Sequence, residues 1–154
     1  MALDYGRRRI GVAVTDPTRT IAAPHGVVDR SPADPVATVP DALVALVAEL
    51  EPAVILVGIP FSMDGTAGAM ATEARTFARA VEEATGVRTA EWDERLSTAR
   101  AERELAGMAL SRAKRRLKGR TDELAAALML SAYLRSGATA GPMRPAGPIR
   151  APGS

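Results

Sequence analysis

MALDYGRRRIGVAVTD, residues 1–16, is the stretch whose reading decides the fold. Ala2 and Leu3 lead into Asp4-Tyr5-Gly6, three arginines follow, and residues 10–16 form a second apolar run rich in β-branched side chains. Two strands joined by a tight turn account for this pattern, and the first of them is very short. A third extended stretch over residues 20–28 completes an antiparallel group before the proline-rich loop at 31–35. An aspartate that ends an apolar strand and precedes a glycine can enter a cleft while the backbone turns away. It can equally be an ordinary turn former.

Working outward, Val39, Leu43, Leu46, Val47 and Leu50 recur at spacings of three and four, a helix that Pro40 and Asp41 start and Pro52 stops. Residues 53–59 are continuously apolar, which suits a strand buried on both faces of a parallel arrangement. A turn at 60–65 precedes a second helix over 69–85, closed by Gly86, and a strand over 87–92. A third helix is expected at 97–106 and a last one at 122–134, with Leu124, Ala127, Leu128, Leu130, Ser131 and Leu134 as its buried face. The order predicts an α/β fold: a mixed sheet of three antiparallel strands then parallel strands, with helices on both faces. Ligands of such sheets tend to sit beyond the carboxyl ends of strands, where Asp4 and Asp93-Glu94 lie. From Gly137 onward Gly, Pro and Ala dominate with scattered Arg. The expected organisation is one domain over 1–136 and a disordered tail over 137–154.

The 154 residues suffice for one domain with a substantial core, and an aromatic share of 3% makes that core mostly aliphatic. The formal charge of +2 is unevenly distributed. Arg112, Lys114, Arg115, Arg116, Lys118 and Arg120 follow one another with no acid between them, a run that suits a polyanion or is simply a solvated charged loop. With no cysteine, disulfides and thiolate metal sites are excluded, and a bound metal must use oxygen or the single His25. Hard cations such as Mg2+ or Mn2+ fit that donor set. No secretory signal or membrane-length apolar run is present, so the expectation is a cytoplasmic protein without membrane contact.

Asp4 and Glu94 fall at strand ends and Asp122 opens a helix. Carboxylates that converge repel one another unless a cation sits among them, so convergence would point to a metal. Spacing alone leaves other roles open: a turn for Asp4, an N-cap for Asp122, a surface salt-bridge cluster for Asp93-Glu94-Arg95. Asp64 sits in a turn whose amides could receive a phosphate, or is a plain Asp-Gly turn. Trp92 and Tyr133 lie in apolar-periodic segments, where core packing is the default over base stacking. His25 reads as structural rather than as a proton carrier.

Four blocks, MALDYGRRRIGVAVTD, VILVGIPFSMDGTAG, WDERLSTARAE and TDELAAALMLSAYL, together resemble the YqgF/RuvX family of RNase H-like proteins, described as Holliday junction resolvase-like or as nucleases maturing pre-16S rRNA. The resemblance implies an RNase H-like fold and a metal-dependent endonuclease. It assigns catalytic and metal-holding roles to Asp4, Glu94 and Asp122, with Asp93 the alternative to Glu94. Neighbours in a strand point to opposite faces, so one of that pair enters the cleft, and Glu94 is preferred. Two Mg2+ or Mn2+ ions bridged by the carboxylates would activate a water for in-line attack and stabilise the leaving oxygen. Arg7, Arg8, Arg9 and Arg95, with the run from Arg112 to Arg120, are the nucleic-acid-binding candidates. Where the family commonly has Lys-Arg before Ile-Gly-Val, this chain has Arg8-Arg9, which keeps the charge and changes the donor geometry.

The expected partner is structured RNA or branched DNA, with pre-16S rRNA processing favoured and Holliday junction resolution close behind. A four-way junction would call for a symmetric homodimer. Two other classes compete. A nucleic-acid-binding ribosome-assembly factor would keep the fold without turnover. An actin- or hexokinase-like ATP-binding protein would share the first phosphate-binding loop, yet those close two such domains around the nucleotide and this chain has length for one.

Overall fold

The computed structural model describes residues 1–62, 64–96 and 118–137. The chain opens with three strands, β1 (Ala2–Tyr5), β2 (Arg9–Thr15) and β3 (Ala22–Asp29). There follow α1 (Asp41–Leu50), β4 (Ile55–Ile59), α2 (Ala69–Thr85), β5 (Thr89–Asp93), a 3-10 turn (Glu94–Leu96) and a helix here called α3 (Lys118–Arg135). The sheet order is β3-β2-β1-β4-β5, antiparallel from β3 to β1 and parallel from β1 to β5. This is the expected α/β mixed sheet. The helix expected at 97–106 and the tail from 138 onward lie outside the described residues. Among the described residues no helix is long and apolar enough to cross a membrane.

Side-chain alternation along the strands builds two cores. Leu3 and Tyr5, Ile10 and Val12, and Ile55, Val57 and Ile59 face α1 and α2 around the fully buried Phe77. The intervening residues, Ala2, Ala13, Leu56, Ala90 and Trp92, face α3 on the other side. Every residue of β4 is buried, as a strand covered on both faces requires. Asp41 lies in the first turn of α1, where its charge favours the helix dipole, and no side chain caps that helix.

Among the boundaries that differ from the sequence reading, β4 begins at Ile55 and β5 spans Thr89–Asp93, and two others have a local reason. β3 begins at Ala22 because the preceding turn belongs to Asp16, whose Oδ1 accepts the backbone N–H groups of Thr20 and Ile21 at 2.8 Å each. Those amides are taken from the ladder. α3 begins at Lys118, so Asp122 stands inside the helix and does not open it, and Lys118 and Arg120 of the basic run are helical. Its buried residues are Ala125, Ala126, Ala127, Met129 and Leu130, while Leu124 is 46% exposed. Periodicity weighted the large side chains, but packing selected the small ones, because alanines let the helix lie close on Ala2 and Ala13.

Leu130→Ala is therefore expected to cost about 2–5 kcal/mol in chemical denaturation, against less than about 1 kcal/mol for Leu124→Ala. The Asp16 turn makes a second prediction. Its carboxyl is held down to about 2, first by the Ile21 amide and then by the Thr18 hydroxyl. A depressed folded-state value gives stability that is present above the ordinary carboxylate range and lost as pH falls through the folded value. The gap in denaturation midpoint between the protein and Asp16→Ala should hold from neutral pH to about 4 and close as pH nears 2.

Candidate active site

Asp4 is the third residue of β1 and is 7% exposed. By alternation with Leu3 and Tyr5 it shares the α3 face with Ala2. Across one edge it pairs with Gly11 of β2. Across the other, the parallel pairing of Leu3 with Val57 puts Gly58 of β4 beside it. Neither neighbour carries a side chain, so Asp4 stands in a trough between two bare positions.

The other two acids lie over those positions. Glu94 follows β5 directly and is 7% exposed, and a Cβ added to Gly58 would come within 2.8 Å of its Oε1. The same Cβ would meet the Met129 sulfur at 2.8 Å. Over Gly11 lies α3 itself: an added Cβ would be 2.1 Å from the Asp122 carbonyl oxygen. Asp122, Ala126, Met129 and Tyr133 recur at spacings of four and three, so the acid belongs to the stripe that packs on the sheet. Asp4, Glu94 and Asp122 thus share one face and one end of the sheet, and none of the three is without an interaction partner. Among the described residues no three acidic or imidazole side chains form a ready metal site.

Asp93 behaves differently. It accepts from the Arg95 guanidinium at 2.6 Å and from the Arg95 amide at 3.0 Å. The Arg95 hydrogen bonds, the largest influence, hold the Asp93 carboxyl below its ordinary range. Arg95, a nucleic-acid candidate, is thereby committed to Asp93 and also lies over the Phe61 ring, 5.3 Å from its centroid. Asp64 is the plain turn: its Oδ1 accepts from the Thr66 amide at 2.9 Å and hydroxyl at 2.7 Å.

The arginines after β1 divide. Arg7 is drawn to the α2 side, where its Nη2 meets Glu73 Oε1 at 2.6 Å, and the Tyr5 hydroxyl donates to the same carboxylate at 3.1 Å. Arg9 lies 4.0 Å from Asp29, and Arg8 is exposed. By its pairing with Glu73, Arg7 is turned towards α2, away from the face that holds Asp4. Arg112, Lys114, Arg115 and Arg116 lie outside the described residues. His25 is exposed on β3. Trp92 is core, its ring edge-on to Tyr133 at 5.7 Å.

Sequence reasoning passed over Gly11 and Gly58. Each interrupts an otherwise apolar strand, and a glycine inside a strand marks a close approach of another group. That signal was present in Ile10-Gly11-Val12 and Val57-Gly58-Ile59.

Residues 1–136 match the RuvX family, described as Holliday junction resolvase. A protein of Shouchella clausii named "Putative pre-16S rRNA nuclease" is 40% identical over 134 residues, 87% of this chain and 92% of that one. One of the same name from Syntrophomonas wolfei is 39% identical over 137 residues, 89% and 94% of the two chains. Among solved structures, Thermus thermophilus RuvC in complex with Holliday junction substrate matches with a TM-score of 0.54 at 23% identity, over 88% of this chain and 93% of that one. That likeness concerns the fold. By the family match and the relatives at this identity, the chain belongs to the RuvX family and is a nuclease of RuvC-like, RNase H-like fold.

Proposed function

We propose that this nuclease cuts phosphodiester bonds in structured nucleic acid, pre-16S rRNA first and Holliday junctions second, at a site made by Asp4, Glu94 and Asp122 with a divalent cation. The observation that carries the reading is the trough at Asp4, with Glu94 over one bare glycine and Asp122 over the other. The naming of the relatives at about 40% identity favours the RNA substrate.

The donor set suits a hard cation. All three groups are carboxylates, Asp4 and Glu94 are nearly buried, and the two glycines let the Glu94 side chain and the α3 backbone at Asp122 come down onto the strands that flank Asp4. Mg2+ or Mn2+ held there supplies charge stabilisation to the phosphate oxygens and lowers the pKa of an attacking water. The chain supplies position. β1 fixes Asp4 from within the sheet, the close seat of α3 fixes Asp122, and Gly58 lets the Glu94 side chain lie flat over β4. Burial limits competing water at the carboxylates, which strengthens each of their interactions with charge. Exposed Arg8 and the basic run from Arg112 to Arg120 are the groups we assign to backbone phosphates. A second copy of the chain would be needed for paired cuts across a four-way junction.

Cleavage of labelled pre-16S rRNA fragments and four-way DNA junctions, with Mg2+ or Mn2+ and with excess chelator, tests this. Asp4→Asn, Glu94→Gln and Asp122→Asn should each lose about a hundredfold or more in rate while still binding substrate. Asp93→Asn should stay within a few-fold of the parent. Full activity in chelator, or loss on Asp93→Asn with retention on Glu94→Gln, would overturn the assignment. A separate outcome is expected for Gly58→Ala. Its methyl displaces Glu94 Oε1 and the Met129 sulfur, so cleavage should fall by about tenfold to a hundredfold, read beside the thermal midpoint to separate it from unfolding.

A further inference from the structure

Beyond the carboxyl end of β4 the chain closes into a small hairpin. Phe61 and Ala67 bridge antiparallel, the Ser62 amide donates to the Thr66 carbonyl at 3.0 Å, and the Gly65 amide donates to the Ser62 carbonyl at 2.9 Å. Ile59 pairs with Asp93, so the hairpin stands beside the point where β5 delivers Glu94. Two guanidiniums meet the Phe61 ring, Arg75 at 5.2 Å and Arg95 at 5.3 Å from its centroid. Each is aimed by a carboxylate of β5: Arg75 Nε donates to Glu91 at 3.1 Å, and Arg95 donates to Asp93. By alternation with Ala90 and Trp92, both acids lie on the α2 face.

Arg95 does more than its counterpart, because it adjoins Glu94 in the chain. Its backbone amide donates to Asp93 Oδ1 at 3.0 Å, closing a turn whose middle residue is Glu94. Its Nε reaches the two Asp93 oxygens at 3.0 and 3.1 Å, and its Nη2 donates to Oδ2 at 2.6 Å. Nη1 lies against the hairpin, 3.4 Å from where a Cβ on Gly65 would stand. The fork that would grip a phosphate is thus turned inward, and the side chain is 34% exposed. A glutamate past the end of a strand has a long side chain and no ladder to hold its backbone, so its carboxylate is placed only as well as the turn beneath it. Here that turn is tied to β5 through Asp93 and to the hairpin through Phe61 and Gly65, and the carboxylate comes down over Gly58.

We propose that Arg95 is a positioning residue for Glu94: bonded to Asp93 and laid on the hairpin after β4, it fixes the turn that brings the Glu94 carboxylate onto the face holding Asp4, and it does not grip substrate phosphates. The proposal rests on the assignment of Glu94 to the site. Asp93→Asn leaves the arrangement standing, because its amide oxygen still accepts from Arg95.

The full chain is compared with Arg95→Gln, Arg95→Lys and Phe61→Leu, each held below its thermal midpoint. With Mn2+ alone as the probe, all three variants should bind about tenfold more weakly, Arg95→Lys included, since an ammonium cannot make the forked contact. In cleavage of labelled pre-16S rRNA fragments and four-way junctions, kcat should fall about tenfold with KM within about twofold. Arg95→Gln should add nothing to the loss already caused by Glu94→Gln. An arginine that holds substrate leaves the opposite record: KM rises for Arg95→Gln, the salt slope of binding falls by about 1, Arg95→Lys stays near the parent, and Mn2+ binds no more weakly. That record overturns the proposal, as does additivity with Glu94→Gln. Parental cleavage by Glu94→Gln overturns the assignment of the site and this inference with it. A crippled Glu94→Gln beside parental Arg95 variants overturns this inference alone.

Discussion

The backbone of α3 rests on β2 with no space for a methyl group, and most of the architecture answers to that contact. Gly11 lies under the Asp122 carbonyl so closely that a Cβ would overlap it at 2.1 Å. To come this near over its length the helix must present small side chains, and Ala125, Ala126 and Ala127 are what it buries. The strands beneath must be low as well, and Ala2 and Ala13 are. The thicker side chains, Leu56, Trp92, Met129 and Leu130, fill the flank where helix and sheet diverge.

β1 divides its chemistry by alternation. Asp4 goes to the α3 face between Gly11 and Gly58, while Tyr5 goes to the α2 face, lies tilted against Phe77 at 5.0 Å between ring centroids and donates to Glu73. Arg7 meets the same Glu73, and Arg30 lies over both rings at 5.1 and 5.4 Å. Arg7, first among the influences on Glu73, holds that carboxyl below its ordinary range. Four residues of strand therefore have a charged anchor on one side and the buried acid on the other. The anchor contributes little to stability as an exposed pair. Its effect is positional, holding the short strand's end against α2.

Much of this was legible from residues alone. Alternation and apolar runs identified all five strands and the mixed order of the sheet, and the four family blocks pointed to the RuvX fold and to nuclease chemistry. Parity said that one of Asp93 and Glu94 enters the cleft and Glu94 was preferred; in the structure β5 ends at Asp93, which pairs with Arg95, and Glu94 follows in a 3-10 turn. What escaped was whatever depends on closeness between distant parts of the chain. The buried face of α3 was read in part: Ala127 and Leu130 are buried as expected, but Leu124 is exposed and Ala125 and Ala126 are buried, because leucine outranks alanine in any hydrophobic pattern whereas clearance favours alanine. Asp122 was taken as a helix opener because Lys118 to Thr121 carry no apolar signal, though nothing in those residues forbids helix. The pairing of Arg7 with Glu73 spans 66 positions, a separation at which sequence pattern is silent.

Gly11 and Gly58 also set the terms on which this chain can change over evolutionary time. At most buried positions a lineage can wander by exchanging one aliphatic residue for another and letting neighbours compensate. At Gly11 the obstacle is main chain, which has no rotamer to yield, and every replacement is larger than what is there. The route to a different residue at that position would have to begin with a shift of the whole helix, and the acid that rides on it would move too. The position is thus an absorbing one: drift can approach it from other residues, and leaving it requires rebuilding one layer of the fold.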